Sequence, residues 1–541
     1  MFAAMTDPQN SAPAQPNDTN EYRAARAAKA GKLRDLGIDP FGARFVASHT
    51  VAQARELCPA PVPPGEDGKP VQQPQGSVVS LAGRIGNLRK AGKLVFATLF
   101  DRSRGDLYRQ QNAAGATELD GADRKKERGI QLFLEAKALG DHFPVIDQLD
   151  LADWVGVTGP VGRTKTGEIS IFVKEIAVLG KALLPPPHQA GADTGHLSSE
   201  TRSRQRYLDL MMSDHSLSVY VTRSRLVAGV RRFFTDRDFL EVETPMMQPI
   251  PGGATARPFI THHNALDLDL YLRIAPELYL KRLIVGGLER VFELNRNFRN
   301  EGISPRHNPE FTMIEWYQAY ADHRVMMDLS EALFRHLADT VVGTRQLRFG
   351  DWTIDLDKPW RRISYHDAIQ EFGGFAYDDT AAMHAKAKEL GIHPPDFPTY
   401  DRLANAVWEA VVEPHLIQPT FITDQPTWLT PLCKAHPDNP AKTLRFELFM
   451  ARMELGNAYS ELNDPDVQRQ RLAEQAAEAK AAKDTEAGIL DGVVDQDFCT
   501  ALDHGLPVCG GQGIGIDRLV MLFTNQTNIR DVILFPTLRP E

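Results

Sequence analysis

The sequence predicts an α+β fold, in which a small N-terminal β-barrel precedes a larger domain built on an antiparallel sheet flanked by helices. Five short strand-like segments separated by glycines lie between residues 77 and 184. An amphipathic helical pattern follows over residues 219–238, and a polar hairpin pattern occupies residues 291–322. A run of strands followed by mixed helices and strands is typical of α+β chains with separate domains.

Composition narrows the class of protein. The chain has 541 residues, of which 42% are hydrophobic and 24% charged, and its net charge is −10. This length allows two or more cores. With no run of 18 apolar residues, no signal peptide and four scattered cysteines, we expect a cytoplasmic protein without a membrane span, disulfides or a zinc site. Because the net charge is negative, any RNA contact must come from local basic patches.

The N-terminal part of the chain is predicted to be a disordered polar tail (1–21), a basic helical segment (22–57) and a linker (58–76). The helical segment is either a solvated surface helix or a helix that grips an RNA backbone, and the pattern leaves both open. Its basic residues recur at near-helical spacing: Arg23, Arg26, Lys29, Lys32 and Arg34.

Residues 77–184 have the pattern of a five-stranded OB-fold barrel. Such barrels bind single-stranded nucleic acid by aromatic stacking and basic side chains. A polar, charged insert over about 102–129 interrupts the strands, and we expect it to be a surface excursion. A second linker is predicted over 185–200, and the large domain spans 201–541.

The most informative stretch is 291–322, where strand alternation gathers polar side chains on one face. A loop carrying Arg306 and His307 separates its two strands. The polar face is predicted from Glu293, Asn295, Asn297, Arg299, Glu301, Phe311, Glu315 and Tyr317. An ordinary hairpin with a solvated side is the alternative, but Arg, Glu and Asn are poor strand formers. Since buried charges need partners, we expect this face to bind anionic and cationic groups.

A second constellation lies in RFELFMARMELGNAYSELND, which contains Glu447, Glu454 and Glu461 at intervals of seven. An acidic stripe on a helix is one interpretation, but Gly456 and the surrounding apolar residues favour strands with a turn near Ala451. Glu454 then shares a face with Glu461 only if Gly456 marks a bulge. Carboxylates close together suit Mg²⁺, which takes oxygen ligands and substrate phosphates.

The C-terminal run GGQGIGIDR is neither a dinucleotide-binding fingerprint nor a phosphate-binding P-loop. A nucleotide must therefore be held by another device. Arg518, at the start of an apolar helix, can stack on a base.

FRNEG followed by RHNPEF, the helix and strand ending in FLEVETP, and GGQGIGIDR resemble the three motifs of class II aminoacyl-tRNA synthetases. The wording FRNEGISPRHNPEFTMIEWYQAYAD is similar to the bacterial-type lysyl-tRNA synthetases, and the resemblance runs from about residue 20 to the C-terminus. It implies a class II catalytic domain that uses ATP and Mg²⁺ to activate L-lysine and transfers it to tRNA(Lys). It also implies a homodimer formed through the helix and strand of the first motif.

The resemblance assigns roles to individual residues. For ATP it implies Arg299, Glu301, Arg306, His307, Phe311 and Arg518, with Arg299 and Arg518 as the catalytic pair. For lysine it implies Gly253, Glu277, Arg299, Glu315, Tyr317, Asn457, Tyr459 and Glu461. For Mg²⁺ it implies Glu447 and Glu454, and for the anticodon Arg89, Phe96, Gln131 and Glu168. This chain departs from the family at Ala458 and Tyr459, where Gly and Phe are usual.

Three alternatives remain open. An aspartyl or asparaginyl enzyme would need cationic groups for the substrate side chain, whereas Glu315, Tyr317 and Glu461 make an anionic pocket. A paralogue that lysylates an elongation factor is expected to lack the N-terminal barrel. An inactive RNA-binding regulator is expected to have lost motif residues that this chain retains.

Overall fold

The structure is a computed structural model that describes residues 16–63, 73–113, 122–187, 197–254, 256–393, 399–481 and 494–540. The chain divides into two compact units, Met1–Val221 and Thr222–Glu541. Parts of the predicted tail, linkers and insert lie outside the described residues, namely 1–15, 64–72, 114–121 and 188–196. Within the described ranges, no helix combines the length and apolar character needed to cross a membrane.

The first unit is a β-sheet with short helices around it. Its strands are β1 (Gln75–Ala91), β2 (Leu94–Phe100), β3 (Ile130–Glu135), β4 (Trp154–Arg163), β5 (Ile169–Phe172) and β6 (Glu175–Gly180). Its helices are α1 (Pro16–Asp35), α2 (Val51–Glu56), α3 (Arg104–Ala113), α4 (Ala122–Glu127), α5 (Ala136–Leu139), α6 (Ser199–Arg204) and α7 (Arg206–Met212). Helix α8 (Asp214–Thr235) begins in this unit and continues in the second.

The six strands pair in the order β1-β2-β3-β5-β4-β6, and β1 also pairs with β4, so that five strands close into a ring. The prediction of five strands is wrong by one. The last of the five strand-like segments, residues 168–180, is broken at Val173 and Lys174 and forms both β5 and β6. The N–H of Val173 donates to the carbonyl of Phe133, whereas that of Lys174 donates to Thr158. The chain therefore changes its partner strand at this point.

Period-two alternation fills the interior of the ring. Side chains that are at most 3% exposed include Val79, Leu81, Val95, Ala97 and Leu99. The residues between them, including Phe96, face outward and are half-buried. The sequence pattern therefore separates a packed interior from an outer face that keeps aromatic rings accessible.

Helix α1 begins at Pro16, so the predicted tail is already helical before its expected end. Arg26 is 8% exposed, and its guanidinium donates to three backbone carbonyls within residues 151–184. Lys29 Nζ lies 2.6 Å from Asp150 Oδ1. Two of the helix's five basic residues are thus engaged within the first unit, and the helix is not simply a solvated one.

The insert is anchored rather than being only a surface excursion. Arg128 is 0% exposed, its Nε lies 2.7 Å from Asp214 Oδ2, and its guanidinium lies 5.0 Å from the centre of the Tyr108 ring. Arg104 Nε lies 3.3 Å from the other oxygen of Asp214. Because a buried guanidinium without a carboxylate is strongly destabilising, Asp214 holds both ends of the insert in place.

The second unit is organised around one large sheet. Its strands are β7 (Leu240–Glu241), β8 (Met247–Gln248), β9 (Ile260–His263), β10 (Leu268–Leu272), β11 (Arg290–Phe298), β12 (Glu310–Ala319), β13 (Gln346–Phe349), β14 (Trp352–Asp355), β15 (Arg361–Ser364), β16 (Thr420–Thr423), β17 (Ala435–His436), β18 (Asn439–Thr443), β19 (Arg445–Met450), β20 (Met453–Ser460) and β21 (Cys509–Gly515). Its helices are α9 (Glu277–Val285), α10 (His323–Leu337), α11 (Tyr365–Gly373), α12 (Thr380–Glu389), α13 (Tyr400–Val411), α14 (Pro465–Ala481), α15 (Gln496–Asp503) and α16 (Ile516–Thr524).

The large sheet has eight strands in the order β15-β16-β19-β20-β21-β12-β11-β7. Its six central strands pair antiparallel, and only the two edge strands, β7 and β15, pair parallel to their neighbours. This confirms the predicted antiparallel sheet. At its centre β21 lies between β12 and β20, so residues as far apart in sequence as Met313 and Gly515 become partners there.

Helix α8 packs on the sheet with the apolar face that the sequence predicts. The four residues of that face are 0% exposed: Leu226, Val230, Phe233 and Phe234. The Phe234 ring lies 5.3 Å from Phe292 and 4.8 Å from Trp316, both in the central hairpin. The predicted strand after the helix is reduced to β7, whose two residues pair at the edge of the sheet.

Candidate active site

A cavity of about 480 Å³ opens over the centre of the large sheet. Strands β12, β20 and β21, the starts of α9 and α16, and the loop after β11 all contribute to its walls. The predicted ligand residues that line it are Gly253, Glu277, Arg299, Glu301, Arg306, His307, Phe311, Glu315, Tyr317, Glu454, Asn457, Tyr459 and Arg518. Glu447 and Glu461 do not line it.

The β11–β12 hairpin forms as the alternation predicts. Glu293 lies opposite Glu315, and Asn297 lies opposite Phe311. Glu293, Asn297 and Glu315 are at most 5% exposed, so the polar face of the hairpin is buried, as is the opposite face that carries Phe292 and Trp316. The Tyr317 hydroxyl donates to Glu315 Oε1 at 2.6 Å.

Arg299 supplies positive charge to the cavity just after β11. Its Nε atom is buried and has no hydrogen-bond partner within the described part of the chain. Its guanidinium lies 5.1 Å from the centre of the Phe311 ring. Since its planar fork matches two oxygens at once, an anionic ligand entering the cavity meets a donor that the protein leaves available.

Arg518 supplies a second positive charge to the cavity, and His307 lies beside it. An Arg518 N–H donates to His307 Nε2 at 3.0 Å, and Ser304 Oγ lies 2.8 Å from His307 Nδ1. Because Nε2 accepts, the Nδ1 atom carries the proton and donates to Ser304. Desolvation and the Arg518 charge both lower the pKa of His307, which keeps the imidazole neutral at pH 7.

Asp517 fixes the helix that carries Arg518. Its Oδ2 accepts the backbone N–H of Thr312 at 2.7 Å, and Arg223 Nη1 lies 2.6 Å from Oδ1. This buried carboxylate therefore ties the start of α16 to β12 and to α8, and it aims Arg518 at the cavity.

The β19–β20 hairpin has the predicted turn and bulge. Ala451 and Arg452 form the turn with φ of 52° and 61°, which is a left-handed conformation that few side chains adopt. Along the strands, Leu448 lies opposite Gly456, whereas Phe449 lies opposite Glu454. The extra residue between them brings Glu454 onto the face of Asn457 and the cavity.

Arg445, which sequence reasoning missed, lies beside this face. It lines the cavity, its Nε donates to Asn457 Oδ1 at 3.0 Å, and its Nη2 donates to Glu447 Oε1 at 2.6 Å. Residues two apart on a strand share a face, so its spacing from Glu447 was the signal that could have found it.

Glu447 and Glu454 are the candidate metal ligands. The described residues contain no cluster of three or more His, Cys, Asp or Glu side chains that could hold a metal ion. Desolvation raises the pKa of Glu447 against the effect of Arg445, and Glu454 adds a further negative charge nearby. Glu454 lines the cavity and Glu447 lies on the same face of the hairpin. Such a pair of carboxylates fits Mg²⁺, whose remaining ligands are usually water and substrate phosphates.

An acidic pocket forms the floor of the cavity. Glu277 and Glu315 line it, and Glu461 lies behind them with an exposed fraction of 2%. Lys281, which sequence reasoning also missed, is 0% exposed and lies between Glu277 and Glu461. Its position one helical turn after Glu277 was the available signal.

Two glycines make room for a ligand in this pocket. At Gly511, a Cβ atom would collide with Glu461 Oε1 and with the Tyr317 ring. Gly253 has φ of 86°, and its Cβ would approach Glu277 Cβ at 3.0 Å. The backbone therefore passes directly against the acidic side chains, where no larger residue fits without displacing them.

The four candidate anticodon residues lie in the first unit. The Arg89 guanidinium lies 5.4 Å from the centre of the Phe96 ring, and Gln131 Nε2 donates to Ser170 Oγ at 3.0 Å. Glu168 forms an exposed ion pair of 2.8 Å with Lys126 in the insert. Phe96, Gln131 and Glu168 belong to or precede β2, β3 and β5, which are neighbours in the ring.

Two aromatic residues that sequence reasoning missed extend this face. Phe133 lies opposite Phe96 and Phe172 lies opposite Phe133 in the strand register. The ring centres are 5.6 and 5.1 Å apart. Such a row of half-buried rings offers a stacking surface for unpaired bases.

Comparison with known proteins finds similarity over nearly the whole chain. A model of the tRNA synthetases class II (D, K and N) family matches residues 198–539. The lysine–tRNA ligase of Carboxydothermus hydrogenoformans is 45% identical over 527 residues, which is 97% of this chain and 99% of that protein. The lysine–tRNA ligase of Salmonella typhi is 46% identical over 531 residues, or 97% of each chain.

Proposed function

This chain belongs to the class II tRNA synthetases for aspartate, lysine and asparagine, and from that premise we propose that it is a lysine–tRNA ligase. It activates L-lysine with ATP and transfers the lysyl group to the 3′ end of tRNA(Lys), with release of AMP and pyrophosphate. The observation that most supports lysine as the amino-acid substrate is the acidic pocket at the floor of the cavity. Its carboxylates, Glu277, Glu315 and Glu461, are all at most 5% exposed.

Arg299 orients the first step. The lysine carboxylate attacks the α-phosphorus of ATP, the bond from that phosphorus to the bridging oxygen breaks, and pyrophosphate leaves. Both reacting groups are anionic, and one guanidinium bridges them and offsets their repulsion. No protein nucleophile is required, because positioning and charge neutralisation lower the barrier.

The remaining cavity residues hold the nucleotide. Arg306 and His307 bind the outer phosphates, Phe311 and Arg518 stack on either side of the adenine, and Glu301 accepts its amino group. Glu447 and Glu454 would hold Mg²⁺, which would further neutralise the charge of the phosphates.

In the second step, a ribose hydroxyl of the terminal tRNA adenosine attacks the carbonyl of lysyl-adenylate and AMP leaves. The five-strand ring of the first unit is an OB-fold that reads the anticodon through Arg89, Phe96, Gln131 and Glu168. The active protein is a cytoplasmic homodimer.

Charging of tRNA tests this proposal. Total bacterial tRNA and radiolabelled lysine are incubated with ATP, Mg²⁺ and the enzyme, and the charged species are then isolated and sequenced. We expect lysine on tRNA(Lys) alone. Lysine on another tRNA, or no transfer of lysine to tRNA, would overturn the assignment.

The metal assignment predicts a selective loss in Glu454→Gln. The variant removes one anionic oxygen donor, so the Mg²⁺ concentration for half-maximal pyrophosphate exchange should rise about tenfold. Affinity for tRNA should stay unchanged, because the carboxylate serves the nucleotide. Filter binding checks the second expectation, and a parallel collapse of tRNA affinity would make Glu454 a structural residue.

The barrel assignment predicts a different loss in Phe96→Ala. Stacking on one base is worth about 1–3 kcal/mol, so the KM for tRNA should rise roughly 5- to 100-fold while that for lysine stays the same. Trp154→Ala is a matched control, since Arg84 lies over that ring at 4.5 Å and Trp154 lies on β4, which does not pair with the Phe96 strand β2. Equal effects in the two variants would remove Phe96 from the anticodon site.

A further inference from the structure

Lys281 is a buried cation in a pocket built for a cationic substrate. Its Nζ lies 2.6 Å from Glu277 Oε1 and 2.5 Å from Glu461 Oε2, and its side chain is 0% exposed. It does not line the cavity, whereas Glu277 does. A substrate in the cavity therefore meets Glu277 first, while Lys281 and Glu461 lie behind it.

The charges around Lys281 come from every element packed against it. The titratable groups that interact with it are Glu277 on α9, Glu315 on β12, Glu461 just after β20, Cys433, and Cys509 on β21. Tyr317 on β12 and Tyr459 on β20 interact with the pocket carboxylates instead. When Glu277, Glu315 and Glu461 are all ionised, they and the Lys281 ammonium together give the pocket a net charge of −2. Free lysine brings two ammonium groups, and its carboxylate is left for Arg299.

We propose that Lys281 is a positioning residue that orients Glu277 and Glu461 and sets the pocket charge that a substrate with two ammonium groups neutralises. This inference rests on the proposed function, because it concerns the lysine site of the same cavity. Without Lys281, three buried carboxylates would face one another with no cation among them, and mutual repulsion would favour their protonated forms.

The ionisation of the pocket supports this account. Burial and the negative charge of Glu277 together raise the pKa of Glu315 to about 8, while Lys281 opposes both effects. Burial also raises the pKa of Glu461, again against the effect of Lys281. Burial alone would lower the pKa of Lys281, but Glu277 and Glu461 raise it above its ordinary value, so Lys281 stays charged.

The directions of these pKa shifts determine how the affinity for lysine changes with pH. A raised carboxyl pKa means that the ligand-free pocket holds a proton that must leave when an ammonium group binds. Affinity for lysine should therefore increase as the pH rises through about 8. Removal of Lys281 raises the carboxyl pKa values further, so the same increase should occur at a higher pH.

A purely structural role for Lys281 makes a different prediction. Breaking a buried ion pair destabilises a fold wherever it lies, without a specific effect on one substrate. The first unit contains a matched case, since the Lys181 side chain is also 0% exposed and its Nζ lies 2.6 Å from Asp150 and 2.7 Å from Asp153. Lys181→Met is therefore the control for Lys281→Met.

The test measures the KM for lysine in ATP–pyrophosphate exchange between pH 6.5 and 9.5, together with the melting temperature. We expect Lys281→Met to raise the KM for lysine at pH 7 at least about tenfold, with the pH dependence shifted upward by about one unit. The KM for ATP should change less than about twofold. Lys181→Met should lower the melting temperature comparably and leave the KM for lysine and its pH profile unchanged.

The double variant Lys281→Met/Glu461→Gln covers the case in which the single variant fails to fold. It removes one charge of each sign, so it keeps two negative charges and leaves no unpaired ammonium. Its loss in lysine kcat/KM should be smaller than the product of the two single losses, or, if Lys281→Met is insoluble, the double variant should recover soluble enzyme.

Three results would overturn the inference while lysine-dependent exchange by the wild type persists. The first is an unchanged KM for lysine and an unchanged pH profile in Lys281→Met. The second is the same change in KM and pH profile in Lys181→Met. The third is a loss of lysine kcat/KM in the double variant equal to the product of the losses in Lys281→Met and Glu461→Gln. Absence of lysine-dependent exchange in the wild type would instead overturn the proposed function itself.

Discussion

Arg299→Lys should lower the rate of lysine-dependent ATP–pyrophosphate exchange by about 10²-fold or more. A lysine side chain at position 299 keeps the positive charge but has no planar fork. It therefore cannot bridge the carboxylate of the substrate and the α-phosphate at the same time. The deficit should appear mainly in kcat, because the bridge is strongest where negative charge gathers during the reaction.

Arg296→Lys is the matched control for this variant. Arg296 lies three residues away on β11 and forms an exposed 2.8 Å pair with Glu310. Exposed ion pairs of this kind contribute little to the stability of the fold. Pyrophosphate exchange by Arg296→Lys should therefore stay within about twofold of the wild type. Near-normal exchange in Arg299→Lys, with the enzyme folded, would contradict the active-site assignment.

Glu461→Gln should cause the second large loss, and it should be specific to lysine. The variant removes one carboxylate from the acidic pocket and leaves Lys281 with Glu277 alone. Truncation of a buried, hydrogen-bonded charge pair costs about 2–5 kcal/mol, or roughly 30- to several-thousand-fold in kcat/KM for lysine. Affinity for ATP should stay close to that of the wild type.

Norleucine separates charge recognition from general damage to the pocket. It has the shape of lysine without the terminal ammonium, so exchange supported by high concentrations of norleucine should fall far less in Glu461→Gln. The comparison uses the ratio of kcat/KM for the two amino acids in variant and wild type. An unchanged ratio would mean that Glu461 does not contribute to recognition of the ammonium.

Local sequence pattern predicted much of this cavity. The polar alternation of β11 and β12 predicted a buried hydrophilic face, and Glu293 and Glu315 lie opposite each other on it. Gly456 predicted the bulge that brings Glu454 to the side of Asn457. These features depend on period-two geometry and on the special conformations of glycine, which a single sequence reveals directly.

Contacts between segments that are distant in the sequence could not be predicted from local pattern. Glu461 and Lys281 are 180 positions apart, and their pairing depends on how α9 packs behind β12 and β20. Arg26 and Arg128 looked like surface charges in the sequence, yet Arg26 donates to a carbonyl 125 residues away and Arg128 forms an ion pair with the distant Asp214. Tertiary packing decides whether such a residue is solvated or buried, and periodicity carries no information about it.

Pyrophosphate exchange measured with each of the twenty amino acids tests the central claim most directly. Each amino acid is supplied alone with ATP, Mg²⁺ and labelled pyrophosphate, and label entering ATP reports adenylate formation. We predict that lysine supports exchange at least about 10³-fold better than any other amino acid, because only its second ammonium group pairs with the buried carboxylates. Exchange driven by aspartate or asparagine, or by no amino acid at all, would contradict this account.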